Sequence, residues 1–228
     1  MLTLEILQAL LPHGNQHVPG LVDAIASQAP TVFAKYGLND DLTIAHAMAQ
    51  FSLECGAGLT MVENLNYSEQ GLQATWPSRF TGTMPATYAH NPRMIADVAY
   101  GGRMGNAPPP SDDGWNFRGR GLSQVTGRSG YQELGETTGL DLVNNPDMVI
   151  DPQNALECGV ADFVQCGCLP HALKDDVRAV TKALNGGLNG FPERQAWLVK
   201  WKAALGVPDA VAQPGAATQL APGQLVSQ

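Results

Sequence analysis

The chain has 228 residues, with 13 Lys+Arg against 21 Asp+Glu and a formal net charge of −8. At 44% hydrophobic and 15% charged it has the composition of a globular protein with one sizeable core. The negative balance argues against a nucleic-acid partner, no apolar run reaches the roughly 18 residues a membrane span needs, and Met1–Ile6 has neither a basic flank nor a cleavage site.

Period and punctuation place the helices. Leu4–Leu11 is short and apolar and closes at Pro12-His13-Gly14. The next runs from Pro19 to about Tyr36. Asp40 or Asp41 caps a strong helix with Ile44, Ala47, Met48 and Phe51 on one stripe, ended by Gly56 and Gly58. Residues 128–138, Pro152 to about Gln165, and a segment opened by Asp175-Asp176 and stopped at Asn185-Gly186-Gly187 follow. Pro192 starts the last helix, which carries Trp197, Leu198, Trp201 and Leu205. Residues 1–205 therefore read as a single, mainly α domain, and 206–228, with no aromatic, Lys or Arg, as a disordered C-terminal tail.

Trp76–Ser123 reads differently, as a long irregular loop region holding six of the 16 prolines. It carries Arg79, Arg93, Arg103, Arg118 and Arg120 beside Trp76, Phe80, Tyr88, Tyr100, Trp115 and Phe117. A loop region of this length in a compact domain is a functional candidate, and a basic, aromatic surface suits a ring-shaped polar ligand with some negative charge. The four cysteines (Cys55, Cys158, Cys166, Cys168) read as buried thiols or one opportunistic disulfide, a Cys158/Cys166/Cys168 cluster with His171 being the weaker alternative. His46 lies off the main helical stripe and reads as an exposed or partly satisfied position. No His pair has metal-ligand spacing, so no metal and no cofactor are expected.

Glu54 breaks the pattern. One further step along the stripe 44, 47, 48, 51 puts a carboxylate on the face that should be buried, in the last helical turn. Desolvation and the helix dipole both favour its neutral form, which is what a general acid needs. Arg194 opens the stripe 194, 197, 198, 201, 205 and also points inward, so the two form a natural pair, structural or catalytic. Glu63 lies nine residues beyond Glu54; the break at Gly56 and Gly58 lets the chain fold back and present it across a cleft. Two facing carboxylates are the minimal equipment for glycoside hydrolysis.

Four ordered blocks carry a family resemblance. Residues 49–58 followed by Glu63-Asn64-Leu65-Asn66-Tyr67-Ser68 resemble the double-glutamate region of family 19 glycoside hydrolases. Tyr100-Gly101-Gly102-Arg103-Met104-Gly105-Asn106 is similar to the bacterial and phage branch, residues 117–128 to the Y-x-G-R-G-x-x-Q-[LV]-[ST] signature, and Leu184-Asn185-Gly186-Gly187 to the I-N-G-G segment. The resemblance implies a lysozyme-like, two-lobed helical domain with a substrate cleft and an inverting mechanism. It implies Glu54 as general acid, Glu63 as general base, and Thr126 as a holder of the attacking water. Gln124, Asn185, Tyr67 and Tyr131 would contact sugar, with Trp76 and Trp115 as alternates, and Arg194 would pair with the acid. The departures are Leu53 where many relatives have His, Cys55 where Thr or Ser is usual, and Asn189 where some place a second Glu.

The expected activity is that of an endolysin cutting the β-1,4 backbone of bacterial peptidoglycan, with chitinase action on poly-GlcNAc and a catalytically weakened wall-binding protein as alternatives. The expected molecule is a monomer made in the cytoplasm and released to the wall through a separate pore or apparatus, without inserting in the membrane.

Overall fold

The structure is a computed structural model and describes residues 2–208. Of the expected tail, 206–228, residues 209–228 lie outside the described residues, while at its start the Val207 N–H donates to the Lys202 carbonyl at 2.9 Å. Thirteen α-helices occur among them: α1 Leu4–Leu10, α2 Gly14–His17, α3 Leu21–Lys35, α4 Asp41–Glu54, α5 Glu69–Thr75, α6 Met84–Tyr88, α7 Pro92–Tyr100, α8 Asp113–Asn116, α9 Arg128–Thr138, α10 Ala155–Gln165, α11 Leu169–Ala172, α12 Val177–Asn185 and α13 Phe191–Leu205. The described residues form no β-strand, only isolated bridges joining Arg120 to Val62 and Val125. No helix is long and apolar enough to cross a membrane among the residues described.

Short polar side chains start several helices by accepting an orphan N–H of the first turn. Asp40 accepts from the Thr43 N–H at 2.7 Å, Asp176 from Ala179 at 2.9 Å, and Asn91 from Met94 at 3.3 Å with Pro92 next in line. Helix starts move by a few residues from expectation: Leu21 for Pro19, Ala155 for Pro152, Phe191 for Pro192. The Pro12–Gly14 break leads into the short α2.

The expectation of an irregular 76–123 region is corrected, since α6, α7 and α8 lie inside it. In α7 only Ile95, Ala96 and Ala99 are buried, too little for a periodic signal between Pro92 and Gly101. These helices form a small lobe with its own core of Leu65, Leu72, Phe80, Ile95 and Ala96, flanked by Tyr67, Trp76, Tyr88, Tyr100 and Trp115.

The larger core is built around α4. Thr43 and every residue from Ala45 to Ser52 are buried, enclosed by α10, α11, α12 and α13. Met48, Phe51 and Phe163 are fully buried there, each contributing about 1.5–3 kcal/mol of transfer free energy. Polar links tie α4 to α13: Trp201 Nε1 donates to Ser52 Oγ at 2.8 Å, and Ser52 Oγ to the Met48 carbonyl at 2.8 Å.

The same enclosure corrects the exposed reading of His46 and bears out the partly satisfied one, since its Nδ1 is buried without a hydrogen-bond partner among the described residues. The side chain is fully buried, its Nε2 is 2.9 Å from Asp175 Oδ1, and Lys202 Nζ donates to Asp175 Oδ2 at 2.5 Å. Burial pushes the imidazole below its ordinary value, only partly countered by the hydrogen bond and charge of Asp175; Lys202 pushes the same way as burial and Asp176 opposes it. Burial raises Asp175, but its bonds to Lys202 and His46 outweigh this and hold its carboxyl low. A neutral buried His that takes up a proton more readily when unfolded loses stability as pH falls below its free value of about 6.5. Denaturant titrations should show wild type losing stability between about pH 7 and pH 5, and His46→Gln losing less over that window.

The thiols are all free: Cys55, Cys158 and Cys168 are buried, Cys166 exposed. Burial pushes Cys55 up to about 11 and Cys158 up to about 12, leaving both unreactive. Among the described residues no group of three or more His, Cys, Asp or Glu is placed to hold a metal ion.

Candidate active site

Glu54 is the last residue of α4, with its side chain 22% exposed, so it sits at the rim of the buried face rather than inside it. Arg194, the inward residue of the first turn of α13, is 3% exposed. Its Nη2 donates to Glu54 Oε1 at 2.5 Å, its Nη1 to Gln50 Oε1 at 2.5 Å and its Nε to the Asn189 carbonyl at 3.2 Å. The guanidinium is thus distributed over a charge and two neutral acceptors. At the departures, Leu53 lies where a Cβ on Gly190 (φ 66°) would fall 2.7 Å from Leu53 Cδ2, and Asn189 contributes its backbone carbonyl, which also accepts from Asn185 Nδ2 at 3.1 Å.

The chain from Glu54 to Glu63 is pinned on both sides. Thr60 N–H returns to the Cys55 carbonyl at 2.9 Å, and Ala57 and Gly58 take positive φ (54° and 92°) to make that reversal. Gly58 approaches Gly14 so closely that a Cβ would lie 2.5 Å from the Gly14 nitrogen. Gly121 N–H then donates to Met61 O and Glu63 N–H to Gly119 O, at 2.9 and 2.8 Å.

Glu63 Oε1 accepts from the Tyr100 hydroxyl at 2.5 Å and Oε2 from the Gly119 N–H at 3.3 Å. Three predicted site residues converge on Gly119: a Cβ there would meet Gln124 Oε1 at 3.1 Å, Thr126 Oγ1 at 3.3 Å and Glu63 Cβ at 3.4 Å. Thr126 Oγ1 donates to the Gln124 carbonyl at 3.0 Å, which leaves its lone pairs to accept a hydrogen. Gln124, at φ 57°, is itself anchored by Nε2 to the carbonyls of Gly121 and Thr60. Gly119→Ala should stay folded, within about 1 kcal/mol of wild type. Its turnover should fall by roughly 10- to 100-fold as the added methyl displaces these groups, measurable as kcat on a soluble glycan.

Asp162 of α10 is a further carboxyl that the sequence did not single out. Burial holds it above the usual carboxylate range despite hydrogen bonds from Ser123 and Cys166, and it feels the charge of Glu54.

Tyr131 is corrected as a sugar platform. Its ring is fully buried against Phe117 (centroids 5.3 Å apart), and its hydroxyl receives Arg120 Nη1 at 3.0 Å and donates to the Arg118 carbonyl at 2.8 Å. It props the 118–120 segment from beneath. Tyr67 is half-buried and meets Trp76 edge-on at 5.0 Å, beside Glu63, whose charge acts on its phenol after burial. Trp115 is stacked by the Arg118 guanidinium at 3.7 Å.

Of the five arginines of the expected basic surface in 76–123, Arg93 and Arg120 are ion-paired among the described residues. Arg79 donates to the Val98 carbonyl, Arg93 pairs with Asp112, Arg120 with Asp147, and Arg118 donates to the Trp115 carbonyl. Arg103 is exposed, has no ion-pair partner among the described residues, and acts on Tyr100.

No protein-family model matches the chain. A Haemophilus influenzae protein described as a glycosyl hydrolase family 19 domain-containing protein is 34% identical over 196 residues, covering 85% of this chain and 92% of that one. The chain belongs to glycosyl hydrolase family 19. Solved structures agree with this family 19 enzyme in fold. A bacterial family 19 chitinase superposes with a TM-score of 0.59 at 20% identity, over 90% of this chain and 95% of that one. Chitinase C from Streptomyces griseus gives 0.56 at 17%, over 90% and 76%, and the class IV chitinase of Zea mays 0.52 at 13%, over 82% and 81%. The family 19 protein is thus a glycoside hydrolase, and its mainly helical, chitinase-like fold carries glycan hydrolysis.

Proposed function

We propose that this glycoside hydrolase cuts the β-1,4 glycan backbone of bacterial peptidoglycan by inversion, as an endolysin, with Glu54 as general acid and Glu63 as general base. The observation that carries the reading is the cluster at Gly119, where Glu63, Thr126 and Gln124 meet. Inversion needs a water held against the base on the face opposite the departing sugar. With its own hydrogen given to the Gln124 carbonyl, Thr126 Oγ1 accepts one hydrogen of that water and Glu63 takes the other. The water's lone pair is then free for the anomeric carbon while Glu54 protonates the leaving oxygen. In this reading Gln124 and Asn185 contact the sugar, and Tyr67 is the aromatic that stacks on it.

Arg103 supports peptidoglycan as the substrate. An unpaired cation near the base favours a glycan bearing carboxylates over neutral poly-GlcNAc. Chitinase action is the second reading, favoured by the chitinases among the structural relatives. In the first reading a monomeric enzyme reaches the wall after release through a separate pore.

Digestion of purified peptidoglycan and of GlcNAc oligomers decides between them. Mass spectrometry should find new reducing ends from peptidoglycan, and NMR should find them first as the α-anomer. Release from the oligomers alone makes the enzyme a chitinase, β-anomer products overturn inversion, and wall binding without cleavage leaves a weakened binding protein.

A further inference from the structure

Tyr100 closes α7 on the small lobe, 37 residues from the carboxylate its hydroxyl touches. Its ring meets Trp76 edge-on, with centroids 6.3 Å apart, and Trp76 in turn packs on Tyr67 and Phe80. Its backbone carbonyl is held by Asn106 Nδ2 at 3.0 Å. The phenol therefore has a fixed place, from which it donates to Glu63 Oε1 at 2.5 Å.

We propose that Tyr100 is a positioning residue for Glu63: it occupies Oε1, fixes the carboxylate plane, and leaves Oε2 as the oxygen that takes the proton from water. The inference rests on the reading of Glu63 as the base. Oε2 is the oxygen on the Gly119 side, where Thr126 Oγ1 and Gln124 Oε1 lie. Burial, then the charge of Glu63 and the hydrogen bond to it, push the Tyr100 phenol well up, so it remains a donor throughout the working pH range. A hydrogen bond donated to the ionised carboxylate stabilises its charge and removes its rotational freedom. The other titratable groups around Glu63 are Tyr67 and Arg118, with Arg103 acting through Tyr100.

The test is a carbon-13 NMR titration of the full chain labelled at its glutamate carboxyls, the Glu63 signal being the one lost in Glu63→Gln. Tyr100→Phe should move the Glu63 midpoint upward by about one pH unit. Trp76→Phe, which keeps an aromatic ring against Tyr100 and leaves its hydroxyl on Glu63, should leave it in place. An unmoved midpoint in Tyr100→Phe, or an equal shift in both variants, overturns the proposal. In the same preparations, wild-type turnover with loss in Glu63→Gln upholds the base reading. The acid limb of kcat/KM in Tyr100→Phe should then follow the NMR shift, with kcat about 10-fold lower and KM within about twofold. Glu63→Gln retaining full turnover sinks the base reading on its own, whatever the titration gives.

Discussion

Glu54→Gln is expected to lower kcat by roughly 10²- to 10⁴-fold while leaving the protein folded, the range a lost general acid removes. The substitution keeps an oxygen where Arg194 Nη2 donates, so the α4–α13 junction retains its hydrogen bond. What disappears is the ability to deliver a proton to the leaving oxygen. Thermal unfolding within a few degrees of wild type, measured alongside turnover, separates this chemical loss from a folding defect. Glu63→Gln should give a loss of similar size for the complementary reason, since an amide cannot take the proton of the water. Undiminished hydrolysis by Glu54→Gln would show that the acid lies elsewhere.

The second large effect is on stability. Arg194→Met leaves Gln50 Oε1, Glu54 Oε1 and the Asn189 carbonyl without their shared donor. Breaking a buried ion pair costs about 3–5 kcal/mol, and the 22% exposure of Glu54 puts this one near the lower end. For a domain of this size that lowers Tm by roughly 6–12 °C. Arg194→Lys should fall between the two, because an ammonium keeps the charge but cannot serve three acceptors lying in fork geometry. Calorimetry on the three proteins checks the order; a Met variant as stable as wild type would remove Arg194 from the structural account.

Much of this was legible in the sequence, for reasons that also set the boundary. The α4 stripe ran on to Glu54, and the α13 stripe began at Arg194, so helical period alone aimed the two at one another. The same stripe failed for His46, because a helix enclosed on all sides has no polar face to be off. Tyr131 carried a signal that family resemblance overrode: Leu134 lies three residues on and is buried on the same face of α9, the mark of a core position. Tyr100 could not be found from period or spacing, since its contact with Glu63 depends on how the small lobe folds over. The short α6 and α8 offer too few turns for any pattern, and the pairing of Arg93 with Asp112 and of Arg120 with Asp147 took two arginines out of the apparent cationic surface.

The unequal cores beneath the two carboxylates bear on how this enzyme can diversify. The mount of Glu54 is a helix buried at every position from Ala45 to Ser52, so a change there propagates through α10, α11, α12 and α13 at once. The lobe that carries Tyr100 and flanks Glu63 rests on a small core of Leu65, Leu72, Phe80, Ile95 and Ala96, with Tyr67, Trp76, Tyr88, Tyr100 and Trp115 half-buried around it. Substitutions in that lobe can reshape the wall of the site that greets a new glycan while the acid stays where it is. Selection for altered substrate range therefore has an inexpensive half of the molecule to work on, and a half it must leave alone.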